Sequence, residues 1–303
     1  MITYDPGNWF KALAIHKADT FRKIFPWLLL VGLFTFAVAY LEFRYLKISD
    51  TERVRNLPVM HSLLGFAISM LLVFRTNTAY DRWWEGRRLW GQLVNVSRNF
   101  AIKIDTFLPA DDHSIRGFFA SIIGLFAHEL AQHLQLEKTR LALDSAPHPE
   151  IPDFDRSRHV PAQISEKMQR RIQDLYRDGT ISGEQMITLN TDLVQFLDIC
   201  GACERIKNTP IPYSYSSFLK KFIVIYVFTL PFGFAFSLGY IAIPVVMFIF
   251  YVMASLELIA EQIEDPFGND ANDLPTERIS KQIERNVNEL LAKDDRNSAP
   301  GRS

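Results

Sequence analysis

Cysteine is almost missing from this chain: its 303 residues hold two, Cys200 and Cys203, arranged as CGAC. That spacing serves redox pairs and half-sites for zinc, but no second CxxC exists. The context LVQFLDICGACERIK reads as a helix rather than a turn after a strand, so a buried structural role is expected for both thiols. No Walker loop, GxSxG or HExxH is present, nor a GxGxxG in a strand-to-helix setting, which argues against a nucleotide-driven pump or a membrane hydrolase. Strand-like alternation and internal repeats are lacking as well. A charge excess of either sign is also missing: 33 Lys and Arg face 34 Asp and Glu, for a net charge of −1. Neither an enzyme nor a nucleic-acid partner is expected.

Mean hydropathy is near zero at +0.02, and 22% of residues are charged, which alone would suit a soluble protein. The charges are unevenly placed. Lys23 to Glu42 encloses one uncharged run, Asn56 to Arg75 a second, and Lys221 to Glu257 a third that is long enough for two spans of about 20 residues each. Pro231, Gly239 and Pro244 interrupt this third run, and a tight turn is expected near Gly239 and Tyr240. Four membrane spans follow. Among these runs only the second holds a histidine, His61, so axial haem ligands cannot be paired within one chain, and His61 is expected to be a satisfied outer-leaflet residue.

An even number of spans puts both termini on one side. Lys and Arg follow the second run (Arg75, Arg82, Arg87, Arg88) and precede the third (Lys207, Lys220, Lys221), which places the termini and the large middle segment in the cytoplasm. Arg44, Lys47, Arg53 and Arg55 in the first outer loop run against that rule. The apolar residues before Lys23 are interrupted by charge, so no signal peptide is expected. Trp9, Phe10, Leu13 and Phe21 suit either a short interfacial helix or packing against a cytosolic domain. Residues 75–220 have mainly helical spacing, with a Pro-rich loop at 145–161.

The second run passes without a break into RTNTAYDRWWEGRRLW, which predicts one helix from Leu57 to Trp90, roughly 50 Å long. Phe66, Met70 and Phe74 recur on it every fourth residue and form one stripe. Such a stripe either packs on neighbouring helices or lines a path. After the fourth run, EQIEDPFGNDANDLP gathers Glu264, Asp265, Asn269, Asp270, Asn272 and Asp273 around a Pro and a Gly. This turn suits a hard cation such as calcium, although it does not match an EF-hand. The alternative is that Asp265 and Asn269 make turn bonds while Asp273 caps a following helix, Thr276 to Lys293.

Three stretches in order, SLLGFAISMLLVFRTNTAYDRWWEGRRLWGQLV, CERIKNTPIPYSY and EDPFGNDANDLP, resemble the bestrophin channel family, specifically its bacterial branch. The resemblance covers nearly the whole chain. It implies an all-α membrane protein with four transmembrane helices and a large cytosolic helical domain per subunit, assembled as a homo-pentamer in lipid around one axial pore. The divisions it suggests are 1–23 (N-terminal interfacial or cytosolic helix), 24–80 (first two spans), 81–218 (cytosolic domain), 219–262 (last two spans) and 263–303 (acidic turn, C-terminal helix and tail).

The same resemblance implies a hydrophobic neck at Phe66, Met70 and Phe74, three apolar rings able to gate by dewetting. It implies a cytosolic aperture that family members form with an apolar residue. Alignment through the Gly of RDGTISGEQ puts Glu184 there, and a slipped register puts Ile181 there instead. Five glutamates would favour cations. The family's calcium clasp maps onto Gln262, Asp265, Asp270 and Asp273. The expected function is passive ion conduction across a bacterial inner membrane, favouring monovalent cations. Chloride selectivity, with or without calcium control, is the alternative, and a secondary transporter, a membrane redox enzyme and a scaffold are more distant ones.

Overall fold

The computed structural model describes residues 20–46, 57–109, 111–135, 154–156 and 158–291. The expected interfacial residues Trp9, Phe10 and Leu13, and the outer-loop cations Lys47, Arg53 and Arg55, lie outside them. Regular structure among the described residues is entirely helical: α1 (Thr20–Leu41), α2 (Leu57–Phe107), α3 (His113–Gln135), α4 (Val160–Arg177), α5 (Gly183–Asn208), α6 (Tyr213–Leu238), α7 (Ala242–Glu264) and α8 (Thr276–Leu291). Four of these, α1, α2, α6 and α7, are long and apolar enough to cross a membrane.

The long third run is two helices, as its length requires. The chain reverses over Gly239–Ile241, where Gly239 takes φ +60, a conformation that costs a residue with a Cβ dearly. Pro231, expected to interrupt, is instead carried inside α6. The second run departs further from expectation, because α2 runs for 51 residues rather than ending near Trp90. At 1.5 Å per residue that is about 76 Å. Leu93, Val96, Phe100 and Ile104 continue the helical spacing beyond Trp90, and all are buried. The end comes at Leu108 and Pro109, where Arg116 donates to the carbonyls of Asp105, Leu108 and Pro109 at 2.7–3.1 Å and to Asp105 Oδ1 at 2.9 Å. One guanidinium thus takes up carbonyls that the last turn leaves unpaired.

The chain forms two compact units. The first lies within Met1–Trp83, Pro210–Asp265 and Asp270–Asn272. Its core joins Val31 of α1, Ile68 and Leu72 of α2, Leu219, Ile223, Tyr226, Val227 and Leu230 of α6, and Val246 and Met253 of α7. Tyr226 Oη donates to the His61 carbonyl (3.1 Å), and His61 Nδ1 lies 2.8 Å from the Leu57 carbonyl, so that ring is satisfied within its own helix.

The second unit lies within Trp84–Thr209, Pro266–Asn269 and Asp273–Ser303, and therefore includes α8. Phe100, Phe119, Phe126 and Phe196 meet edge to face at its centre, with centroids 5.1–5.9 Å apart. Ile279, Ile283, Val287 and Leu291 are buried along one face of α8. Between α4 and α5 the chain turns through Gly179 (φ +73), and α5 opens with a capping box in which Ser182 and Gln185 satisfy each other's backbone amides.

Candidate functional site

On α2 the buried and exposed residues separate cleanly. Ile68, Leu72, Arg75 and Ala79 are buried, and at 100° per residue they point nearly opposite to Phe66, Met70 and Phe74. Those three are 67%, 45% and 58% exposed within the single chain. Much of their surface is left uncovered by the other described residues of the chain. Only 17% of the most apolar stretch of α2 is buried by the chain, against 44% for α6.

The buried face of α2 ends in charge. Arg75, the residue after Phe74, sends Nη2 to Glu264 Oε2 at 2.6 Å and holds Nε 3.5 Å from Glu257 Oε2, with its side chain 1% exposed. The other oxygen of Glu264 accepts from the Ile211 amide (2.7 Å), and its carbonyl accepts from Arg82 Nε (3.0 Å). Tyr215 Oη donates to the Leu71 carbonyl at 3.0 Å. The Phe74 end of the stripe is therefore held to α6 and α7 by polar bonds in a largely buried setting, where they are stronger than in water.

The two aperture candidates differ in placement. Ile181 is 4% exposed, packed within its own unit, whereas Glu184 on the first turn of α5 is exposed. Ser182 Oγ donates to Glu184 Oε2 at 2.7 Å. That bond, chiefly, holds the Glu184 carboxyl below the usual carboxylate range, so it is ionised at neutral pH.

In the acidic turn, Gln262 and Asp273 are buried, Asp265 is half-buried and Asp270 is exposed. Gln262 Oε1 accepts from Asn272 Nδ2 at 2.9 Å, and the Asn272 carbonyl accepts from Trp83 Nε1 at 3.0 Å. The Gln262 side-chain oxygen, with one lone pair engaged by Asn272, retains a second. The helix that follows starts at Thr276 as expected, its amide bonded to the Leu274 carbonyl at 2.8 Å.

Sequence reading missed one cluster. His133 at the end of α3 and His159 at the N-cap of α4 both place Nε2 2.6 Å from Oε1 of Glu204 on α5. Three residues from three separated segments leave no spacing motif to find. Cys200 and Cys203 are buried and free, as their helical context suggested. Burial, then the nearby Glu204, raises both thiols, that of Cys203 to about 12.

A family model described as bacterial/fungal bestrophin protein matches residues 1–289. The chain belongs to the bestrophin family. Among its bestrophin relatives, the voltage-dependent anion channel-forming protein YneE of Escherichia coli strain K12 is 33% identical over 94% of this chain and 92% of its own. A protein of the same description from Ralstonia nicotianae is 30% identical, with the same shares covered. The crystal structure of a bacterial bestrophin homologue from Klebsiella pneumoniae matches with a TM-score of 0.75 and 27% identity, over 88% of this chain and 97% of that one. This bestrophin is accordingly an all-helical membrane protein of a channel family.

Proposed function

We propose that this bestrophin assembles as a homo-pentamer in a bacterial inner membrane, with both termini cytoplasmic, and conducts ions passively through an axial pore whose neck is lined by Phe66, Met70 and Phe74. The observation that carries this reading is the exposed apolar stripe opposite the packed face of α2. Five copies of such a stripe, facing one another, cover apolar surface that a single chain leaves open. They also create a bore narrow and apolar enough to lose its water column unless it widens.

Selectivity for monovalent cations is assigned to Glu184, which is exposed and held ionised, and five such carboxylates around an axis repel chloride. Ile181, buried in its own unit, is set aside as the lining residue. The names of the relatives, voltage-dependent anion channel-forming proteins, favour a second reading, anion conduction. Calcium, where bound, would be held by Gln262, Asp265, Asp270 and Asp273 and would supply a local charge that orders the turn. Purified protein in planar bilayers under a salt gradient tests the whole proposal: stepwise currents reversing toward the cation equilibrium potential are expected. Reversal at the chloride value would overturn the cation assignment, and absence of any current would overturn the channel.

A further inference from the structure

The cluster His133, His159 and Glu204 has no part in the conduction reading. Its three ligand atoms, two imidazole Nε2 and one carboxylate oxygen, all lie within 4.8 Å of one another. The two rings stand edge to face with centroids 4.8 Å apart, and Cys200 Sγ lies 4.0 Å from His159 Nε2. Cys200 and Glu204 are four residues apart on α5, so both project from the same face of that helix. We propose that His133 Nε2, His159 Nε2, Glu204 Oε1 and Cys200 Sγ form a four-coordinate site for a zinc-class transition-metal ion.

The donor set points to that class of metal. Two imidazoles, one carboxylate and one thiolate are borderline-soft ligands that select zinc over calcium or magnesium, and four of them close a tetrahedral shell. Metal–nitrogen bonds near 2.0–2.1 Å set ligand atoms about 3.3 Å apart in a tetrahedron. The observed 2.6 Å contacts must therefore open by several tenths of an ångström and the 4.0 Å contact must close by a similar amount, both within reach of side-chain rotation. The site is partly open to solvent, with the His133 and Glu204 side chains 26% and 28% exposed, which gives an ion an entry path.

Loading has a definite proton balance. Without metal, His159 Nδ1 accepts the Ala162 amide as the N-cap of α4 (3.0 Å), so Nε2 carries the ring proton and donates it to Glu204. The metal takes both Nε2 atoms, the ring proton of each histidine moves to its own Nδ1, and the Ala162 bond is given up. Cys200 releases its thiol proton to solvent as its sulfur binds, a proton that burial otherwise holds firmly. The gain is a staple joining the end of α3, the start of α4 and the middle of α5.

The test is zinc alone, titrated in calcium-free buffer against a competing chromophoric chelator, on the full-length metal-stripped protein, with cobalt as a spectroscopic substitute. One zinc per protomer is expected. Loss of partners that merely orient a ligand costs 10–100-fold in metal affinity, so His133→Ala and Glu204→Gln, which remove ligands, should each weaken zinc by about 100-fold or more. Cobalt-loaded wild type should show thiolate-to-metal charge-transfer absorption that Cys200→Ser abolishes. If His133→Ala fails to fold, Glu204→Gln, which keeps the side-chain shape, decides the matter. Zinc stoichiometry and affinity unchanged in Glu204→Gln, no zinc uptake by the wild type, or a wild-type cobalt spectrum without thiolate absorption would each overturn the site.

Discussion

Arg75→Met removes the cation that two carboxylates on α7 share at the Phe74 end of the apolar stripe. Arg75 is buried, Glu257 stands 3.5 Å from its Nε with 6% of its side chain exposed, and Glu264 stands 2.6 Å from its Nη2 with 14% exposed. Glu264 keeps the Ile211 amide after the change, while both Glu257 oxygens have no other hydrogen-bond partner. Breaking a buried pair from one side costs about 3–5 kcal/mol, because a desolvated charge is left behind. Each kcal/mol lowers Tm by about 2–4 °C in a chain of 150–250 residues, so a fall on the order of 10 °C is expected in detergent. Scanning fluorimetry on the purified protein measures it. Adding Glu257→Gln to Arg75→Met should recover part of the loss, since the two residues act as one unit. A single mutant that melts within about 1 °C of the wild type would refute the reasoning.

Replacing Phe66, Met70 and Phe74 together with Ala should wet the neck and raise conductance or open probability, and unchanged single-channel currents in folded protein would remove these residues from the pore. Between pH 8 and about 4 cation preference should decline as the Glu184 ring is protonated: Ser182 holds each carboxyl below its usual range, while repulsion among five copies works in the opposite direction. Reversal potentials measured across that range check this, and Ser182→Ala should move the decline to higher pH. The Cys203 thiol, pushed up to about 12, should resist alkylation at pH 8 over hours, with labelling followed by mass, and rapid labelling would contradict its buried setting. Calcium should raise the melting temperature of the wild type but not of a double Asp270→Ala, Asp273→Ala variant, if the acidic turn binds it.

The four spans were legible because a helix that crosses a membrane must exclude charge over its apolar stretch, and charge is the easiest signal to see in a sequence. The stripe was legible for a related reason, since spacing by four fixes a face whatever lies opposite it. The end of α2 was not. Beyond Trp90 the helix runs on into the core of the second unit, and its stop depends on Arg116, a residue in the next helix that reaches back to three carbonyls. Glu184 and Ile181 could be named from alignment, but only burial separates them, and burial is a tertiary property. The histidine cluster was beyond reach for the same reason, because His133, His159 and Glu204 become neighbours only when three helices have packed.

The unbroken run of α2 from Leu57 to Phe107 ties side-chain direction to residue count along the whole rod. Phe74 and Arg82 sit 8 positions apart, and every residue between them contributes a fixed turn. A single insertion near Asn77 would rotate the residues after it by about 100° and advance them by about 1.5 Å, swinging Arg82 and Trp83 away from the carbonyls of Glu264 and Asn272 that accept from them, or the exposed stripe away from its own setting. An insertion of seven residues would restore direction to within about 20°, though not distance along the axis. Length variation in this part of the helix should therefore be suppressed, or come in multiples close to whole turns.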